Sequence, residues 1–130
     1  MAEPSITTTA ISLGRRSEPR LRVRLAARLV GLDGASRPVL ADLSTGGARL
    51  KGQLTELRLG AEAVLFWDRF EAFGRVVWRD NGQCGMRFYE PIAQADLIAT
   101  RILDDVQRLP SEHELTRAAA QQFVFGRRHL

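Results

Sequence analysis

The stretch Arg20-Leu-Arg-Val-Arg-Leu-Ala-Ala-Arg-Leu29 decides the fold, because apolar residues alternate in it with mostly basic ones. Successive side chains of a β-strand point to opposite faces, so this period of two predicts a strand with one buried face. Similar patterns follow at 39–44, 48–51, 63–67, 70–79 and 84–88. Six consecutive strands predict a mainly β protein, with an antiparallel sheet closed into a small six-stranded barrel.

Turn residues separate the predicted strands. The clearest turn is Asn81-Gly82, because this pair supplies the positive φ angles that a tight primed hairpin turn requires. The other connections contain the pairs Asp33-Gly34, Gly46-Gly47 and Asp68-Arg69.

After Pro91 the period changes to that of a helix. Apolar residues recur at spacings of three and four, which predicts an amphipathic helix that packs by this face and ends at Pro110. The predicted apolar face consists of Ala95, Ile98, Ile102, Val106 and Leu109, and the predicted solvent face includes Gln94, Arg101, Asp104, Asp105 and Arg108. Ser111 and Glu114 have the spacing of a capping box, which predicts a second helix to about Gln122.

The 130 residues accommodate one domain with a tail at each end. We expect a flexible arm over 1–14, the barrel and its helix over 15–109, and a helical tail over 110–130. No apolar run resembles a signal peptide or a membrane span, and the single cysteine, Cys84, excludes an intramolecular disulfide. These features favour a cytoplasmic protein without a membrane association.

The sequence predicts no catalytic or metal site. Cys84 shares strand parity with Met86 and Phe88, which predicts a buried thiol. His113 and His129 fall outside the barrel, too few for a four-ligand zinc site. Asp104 and Asp105 are consecutive on the predicted helix and project about 100° apart, so they do not converge. We therefore expect neither an enzyme nor a bound cofactor.

The charge favours an anionic ligand. The net charge is +4, and Lys51 is the only lysine, so 18 of the 19 basic residues are arginine. The planar guanidinium suits bidentate contacts to phosphate and guanine. A genome rich in G and C explains the arginine excess equally well.

Two motifs stand out. Arg16 and Arg20 form an RxxxR pattern before the first strand, preceded by Arg15. The segment Asp42-Leu-Ser-Thr-Gly-Gly47 has the form DxSxxG, for which roughly 0.03 chance occurrences are expected in this chain. Asp42 and Ser44 are two apart on a strand and so share a face, while Gly46 and Gly47 allow a turn and a close approach of the backbone.

In this order and spacing the two motifs resemble those of the PilZ domain, and the resemblance covers roughly residues 14–109. It implies a six-stranded barrel that binds the bacterial second messenger cyclic di-GMP, and a change of conformation that a downstream protein partner detects, with motility or biofilm formation as typical outputs. Carried over by motif, the ligand residues are Arg16, Arg20, Asp42, Ser44 and Gly47, and Gly46 and Arg15 are further candidate ligand contacts beside them. In similar proteins an arginine at the position of Arg15 accompanies the binding of two stacked cyclic di-GMP molecules. Whether this chain binds one ligand molecule or two is open at this point.

Three further questions remain open at this stage. Arg20, Arg22, Arg24 and Arg28 share one face of the first strand, which also fits a barrel that binds single-stranded nucleic acid. Against this, few aromatic residues fall on predicted exposed faces, and we expect no nucleic-acid partner. A PilZ-like module that acts by protein contact without a nucleotide is a third interpretation. The apolar residues Phe123, Val124 and Phe125 are either a docking patch or a segment that packs on the domain.

Overall fold

The computed structural model describes residues 19–52, 57–111, 114 and 117. The elements with both ends in these ranges are eight strands and one helix. The strands are β1 (Leu21–Ala26), β2 (Arg28–Gly31), β3 (Gly34–Ser36), β4 (Val39–Leu43), β5 (Gly47–Lys51), β6 (Glu62–Trp67), β7 (Phe70–Asp80) and β8 (Gln83–Phe88). They form one antiparallel sheet in the order β1-β4-β5-β8-β7-β6-β2-β3. The helix, α1, spans Gln94–Gln107.

The prediction of a six-stranded closed barrel was wrong in strand number and in closure, although the mainly β class and antiparallel pairing are confirmed. The predicted first strand is divided at Ala27, whose N–H donates to the Pro38 carbonyl at 3.1 Å. Before this residue the chain pairs with β4, and after it with β6. The extra strand β3 pairs only with β2 among the described strands and ends before Arg37-Pro38. Since β1 and β2 adjoin in sequence but lie towards opposite ends of the sheet, the sheet curls without closing its hydrogen-bond ladder.

The predicted turns are confirmed where their backbone demands are strongest. Asn81 and Gly82 have φ angles of 48° and 74°, and they join β7 to β8 as the primed turn requires. Asp68 has a φ of 50° in the turn between β6 and β7.

The core lies on the concave face of the curled sheet and is built by alternate residues of nearly every strand. Leu40, Leu43, Leu50, Leu65 and Val76 are fully buried. Cys84 is also fully buried, which confirms the predicted packing role, and burial raises the pKa of its thiol to about 11. This thiol is therefore protonated at neutral pH.

Helix α1 packs by a different face from the predicted one. Leu97, Thr100 and Asp104 are its buried residues. The Trp67 indole donates to Thr100 Oγ1 at 3.0 Å, and the Arg24 backbone N–H donates to Asp104 Oδ1 at 2.9 Å. Polar anchors thus fix the helix orientation, which hydrophobic periodicity alone does not detect.

The face predicted to be buried is instead largely exposed. Ile98, Ile102 and Val106 are 53%, 62% and 79% exposed. Ala95 is also exposed, and of the predicted set only Leu109 is half-buried. Asp104, predicted to face solvent, is buried and also accepts a hydrogen bond from Arg108 Nη1 at 2.8 Å.

The capping box after α1 is present. The Ser111 N–H donates to Glu114 Oε1 at 2.7 Å, and the Glu114 N–H donates to Ser111 Oγ at 3.1 Å. Hydrogen bonds from the Ser111 backbone and side chain lower the pKa of Glu114, with smaller contributions from the charges of Arg24 and Arg108. Glu114 and Arg117 are helical. The predicted arm over 1–14, both histidines and the predicted helix end at Gln122 lie outside the described residues.

Candidate functional site

The sheet brings the second half of the arginine motif next to the DxSxxG motif. Leu21, the first residue of β1, pairs with Leu43, the last residue of β4. Arg20 precedes Leu21 and Ser44 follows Leu43, so these two residues lie opposite each other. Arg20 is exposed. Arg15 and Arg16 lie outside the described residues. The strand pairing thus places the end of one motif beside the start of the turn in the other.

The turn between β4 and β5 is held by its own polar groups. The Ser44 N–H donates to the Gly47 carbonyl at 2.9 Å, and the Gly46 N–H donates to Ser44 Oγ at 3.3 Å. The Ser44 hydroxyl also donates to the Gly47 carbonyl at 3.4 Å. From β8, the Phe88 N–H donates to the Gly46 carbonyl at 2.8 Å. The Ser44 side chain consequently shapes the turn as well as being a candidate ligand contact.

Gly47 allows β5 to approach β8 closely. A Cβ atom at this position would lie 2.3 Å from the Met86 carbonyl oxygen, which is backbone and has little freedom to move. Gly47 pairs with Arg87 across the two strands. The glycine at the end of the motif therefore has a packing role that is independent of any ligand.

Asp42 is buried in an ion pair with a residue that the sequence motifs did not indicate. Its Oδ2 atom lies 2.5 Å from Arg49 Nε, and Arg49 Nη1 donates to Gln83 Oε1 at 2.6 Å. Its Oδ1 atom lies 4.0 Å from Nε of Arg22, whose side chain is 86% exposed. The carboxylate thus orients one arginine on β5 and faces a second, solvent-exposed one on β1.

These residues belong to one row that crosses five strands. Arg22 pairs with Asp42, Asp42 with Arg49, and Arg49 with Gly85. Gly85 pairs in turn with Trp78 of β7. Residues directly opposite on neighbouring strands project to the same face, so the row presents two arginines, a carboxylate and an indole on the outside of the sheet.

The indole of Trp78 lies over Gly85. A Cβ atom at Gly85 would be 2.0 Å from Trp78 Nε1, so any side chain there would displace the indole. Trp78 is 40% exposed and lies beside the Arg49 position of the row. The outer face consequently carries an exposed aromatic surface next to a charged cluster.

A second row runs parallel to the first. Gly47 pairs with Arg87, Arg87 with Arg75, and Arg75 with Glu62. Both arginines are exposed, and like charges directly opposite on a sheet repel each other. This row extends the positive surface from the Ser44 turn across β8 and β7.

The outer face is more aromatic than predicted. Besides Trp78, Phe73 and Tyr89 are half exposed, and their rings lie 5.0 Å apart. The Tyr89 hydroxyl donates to Glu62 Oε2 at 2.5 Å, and this hydrogen bond is the first cause of a raised pKa of Tyr89. These three exposed aromatic residues are more than the predicted strand faces indicated, and Trp78 is one of them because a bulge between Val76 and Trp78 turns its indole outward.

Other parts of the described structure offer less to a ligand. A groove of about 630 Å³ lies beside the β2–β3 hairpin and is lined by Leu29, Gly34, Leu57 and Glu62 among others, but by none of the predicted site residues. Within residues 19–52 and 57–111, together with 114 and 117, no three His, Cys, Asp or Glu side chains cluster as metal ligands would. None of the helices in this part of the chain has the length and apolar character needed to cross a membrane.

Comparison with known proteins places this chain in a family. The family model described as PilZ domain matches residues 14–104, which include both motifs and all eight strands. The chain belongs to the PilZ domain family. No relative was found among the curated protein sequences.

Solved structures include two similar proteins. One is the PilZ domain of CeSA from a cellulose-synthesising bacterium, with 21% identity, a TM-score of 0.48, and coverage of 65% of this chain and 93% of that one. The other is the Bacillus subtilis inhibitor of motility MotI/DgrA, with 17% identity, a TM-score of 0.52, and coverage of 69% of this chain and 49% of that one. At this level of identity the likeness to MotI/DgrA shows that the fold is shared.

The sequence motifs of this PilZ protein did not indicate Arg49 and Trp78, which lie in the same row as Asp42. Arg49 follows the Gly46-Gly47 turn at the position that a tight hairpin pairs with Asp42, and this spacing was a usable signal. Trp78 gave no comparable signal. Its place depends on the bulge in β7 and on the absence of a side chain at Gly85.

Proposed function

We propose that this PilZ protein is a receptor for cyclic di-GMP that uses Arg16, Arg20, Asp42 and Ser44, with Arg15, Gly46 and Gly47 completing the site. The observation that carries the proposal is the pairing of Leu21 with Leu43, which sets Arg20 beside the Ser44 turn, two residues along the strands from the Arg22-Asp42-Arg49 row. The end of the arginine motif and the DxSxxG motif, separate in sequence, thus lie on one surface.

The chemistry of the surface suits this ligand. Cyclic di-GMP carries two phosphates and two guanines, and guanine presents O6 and N7 to an arginine fork. Arginine also stacks on planar rings and pairs with phosphate oxygens. Asp42 is an acceptor for guanine N–H groups through Oδ1, since Oδ2 already binds Arg49. The exposed Trp78 indole offers a base a stacking surface on the same face.

Arg49 acts on the ligand through Asp42 in this proposal. It is bonded on one side to the carboxylate and on the other to Gln83, so its position is fixed by two strands. A carboxylate held in this way presents one oxygen in a defined direction and loses little rotational freedom on binding. Arg49 is therefore a positioning residue for Asp42.

We further propose that the signal passes to a protein partner. A ligand that joins the Arg16–Arg20 segment to the sheet alters the outer surface that a partner would contact. A conformational change of this kind requires the ligand to bind one arrangement of the segment better than the other. The partner and the output are not specified by these residues.

The direct test is isothermal titration of the full chain with cyclic di-GMP. We expect saturable binding with micromolar or tighter affinity, and the stoichiometry separates one ligand per chain from the two that Arg15 suggests. The double variant Arg16→Ala/Arg20→Ala should bind at least tenfold more weakly with an unchanged melting temperature. The matched control is Arg37→Ala/Arg58→Ala, which removes the same charge from exposed positions outside the two rows.

Two results would reject the proposal. Equal affinity in the two double variants would show that net charge, and not the motif, attracts the ligand. If titration of the folded wild type with cyclic di-GMP gives no binding heat, the protein is not a receptor for this ligand. The interpretation that then applies is a PilZ module that acts by protein contact without a nucleotide.

One observation favours a second candidate function. Phe73, Trp78 and Tyr89 are exposed beside Arg75 and Arg87, and aromatic surfaces between basic side chains are typical of proteins that bind single-stranded nucleic acid. This candidate ranks second because the Arg22-Asp42-Arg49 row places a buried carboxylate at its centre, where a polynucleotide backbone would meet negative charge.

A further inference from the structure

The outer face of α1 carries a continuous apolar stripe that nothing in the described structure covers. Ile98, Ile102 and Val106 are spaced by four residues and are 53%, 62% and 79% exposed. Residues spaced by four lie above one another on a helix, so the three side chains form a stripe about 12 Å long. The buried anchors Leu97, Thr100 and Asp104 lie on the opposite side of the helix. This stripe does not contribute to holding α1 on the sheet.

The size of the stripe argues against a stable interface with a separate molecule. A standard interface involves about 20–30 residues on each side, whereas the stripe has three large side chains. A segment of the same chain needs far less contact, because a short connection gives it an effective concentration in the millimolar range. The occupant that fits is therefore a neighbouring segment of this protein.

The chain itself provides such a segment directly after α1. The connection from the end of α1 to the capping box consists of residues 108–111, a length typical of two antiparallel helices. The reciprocal hydrogen bonds of Ser111 and Glu114 mark the start of a helix, and Glu114 and Arg117 are both helical and exposed.

The sequence of this segment has an apolar stripe of matching period. Continued at 100° per residue, a helix from Ser111 sets Leu115, Ala119 and Phe123 on one face, with Glu114 and Arg117 well away from it. Leu115, Ala119 and Phe123 are spaced by four, as are Ile98, Ile102 and Val106. In an antiparallel hairpin the two sets meet in order, with Val106 opposite Leu115, Ile102 opposite Ala119, and Ile98 opposite Phe123.

We propose that the segment 112–123 docks on the exposed stripe of α1, with Leu115, Ala119 and Phe123 on Val106, Ile102 and Ile98. The small Ala119 opposite Ile102 lets the two helices approach closely at the centre of the stripe. The occupant is this segment of the same chain, and the proposal does not depend on the nucleotide-binding function.

A disulfide experiment on the full chain tests the pairing. In Ile102→Cys/Ala119→Cys, oxidised glutathione should produce an intrachain disulfide at micromolar protein concentration, seen as a faster band on a non-reducing gel. The matched control is Ile102→Cys/Arg117→Cys, whose second position is closer in sequence but faces away from the stripe, and it should stay reduced. Native Cys84 is fully buried and does not compete. A disulfide-linked dimer would assign the stripe to a second copy and overturn the proposal, as would equal crosslinking of the two variants.

A second measurement avoids engineered cysteines. The δ1 methyl group of Ile98 should show an upfield ring-current shift in the ¹³C-methyl NMR spectrum of the wild type, and Phe123→Ala should remove it. Phe125→Ala is the control, because Phe125 lies beyond the segment 112–123 that the proposal docks on the stripe. If neither variant moves the Ile98 signal, the segment does not dock on the stripe.

Discussion

Arg49 and Asp42 face each other across the β4–β5 pair, with Arg49 Nε 2.5 Å from Asp42 Oδ2. The Asp42 side chain is only 12% exposed, so the arginine is its main compensation for burial. A residue assigned to ligand binding by its motif thus also takes part in the stability of the sheet. If an Asp42 variant loses binding, its stability must be measured before the loss is attributed to a missing ligand contact.

The first prediction concerns this pair. Asp42→Asn keeps the shape of the side chain but removes its charge, and we expect it to lower the free energy of unfolding by about 1 to 3 kcal/mol in urea denaturation. Arg22→Ala is the control, because its exposed guanidinium is 4.0 Å from Asp42 and a surface pair contributes less than about 1 kcal/mol. Equal effects of the two substitutions would contradict the structural role of the Arg49 pair.

The second prediction concerns Gly47. Gly47→Ala places a Cβ atom against the Met86 carbonyl, so we expect a loss of about 1 to 3 kcal/mol in unfolding free energy without any ligand present. Gly74→Ala is the matched variant, because its Cβ would lie 2.2 Å from the Arg87 carbonyl, and a similar loss is expected. A Gly47→Ala protein with the wild-type melting temperature would show that the close approach to β8 does not depend on this glycine.

The third prediction uses the two tryptophans. Trp67 is buried and bonded to Thr100, whereas Trp78 is exposed on the proposed ligand face. We expect cyclic di-GMP to quench the fluorescence of the wild type, and Trp78→Phe to abolish the change while the affinity falls little. Trp78→Ala should weaken binding by roughly fivefold to a hundredfold, since stacking contributes about 1 to 3 kcal/mol per base. Undiminished quenching in Trp78→Phe would place the ligand elsewhere.

The fourth prediction concerns Cys84, whose pKa is raised to about 11 by burial. The unfolded thiol ionises at lower pH, so folding favours the protonated form. Stability from this group is fully present below the unfolded pKa and declines as the pH rises towards about 11. At pH 8 the native thiol should resist Ellman's reagent and should react at once in urea. Rapid modification of the native protein would contradict its place in the core.

The strands and turns were predictable because they depend on local signals. Alternation in 20–29 and the Asn81-Gly82 pair act over a few residues, and the structure contains the corresponding strands and turn. The division of the first strand at Ala27 was not predictable in this way. It depends on the distant Pro38 carbonyl and on a change of partner from β4 to β6.

The orientation of α1 shows why a stronger apolar face does not always pack inward. Thr100 and Asp104 are polar, yet both are buried because Trp67 and the Arg24 backbone supply their hydrogen-bond partners. Those partners lie on strands remote in sequence. Similarly, Asp42 and Ser44 were visible as a motif, whereas the neighbours of Asp42 depend on register across β1 and β5 and on the irregularity after Leu40.

The last prediction separates a dinucleotide from a polynucleotide by salt. A protein that contacts about 6 to 10 phosphates loses roughly 10³ to 10⁵ in affinity between 50 and 200 mM salt, because neutralised phosphates release counterions. Cyclic di-GMP has two phosphates, so its affinity for this protein should fall by less than about tenfold over the same range.

Fluorescence titrations at both salt concentrations provide the measurement, with a random single-stranded oligonucleotide as the comparison ligand and the linear guanosine dinucleotide as a control for ring closure. We expect the oligonucleotide to bind detectably only at 50 mM salt, since Asp42 lies between the two arginines of the first row and Glu62 ends the second row. Sub-micromolar binding of the oligonucleotide at 200 mM salt, together with weak binding of cyclic di-GMP, would reverse the order of the two candidate functions.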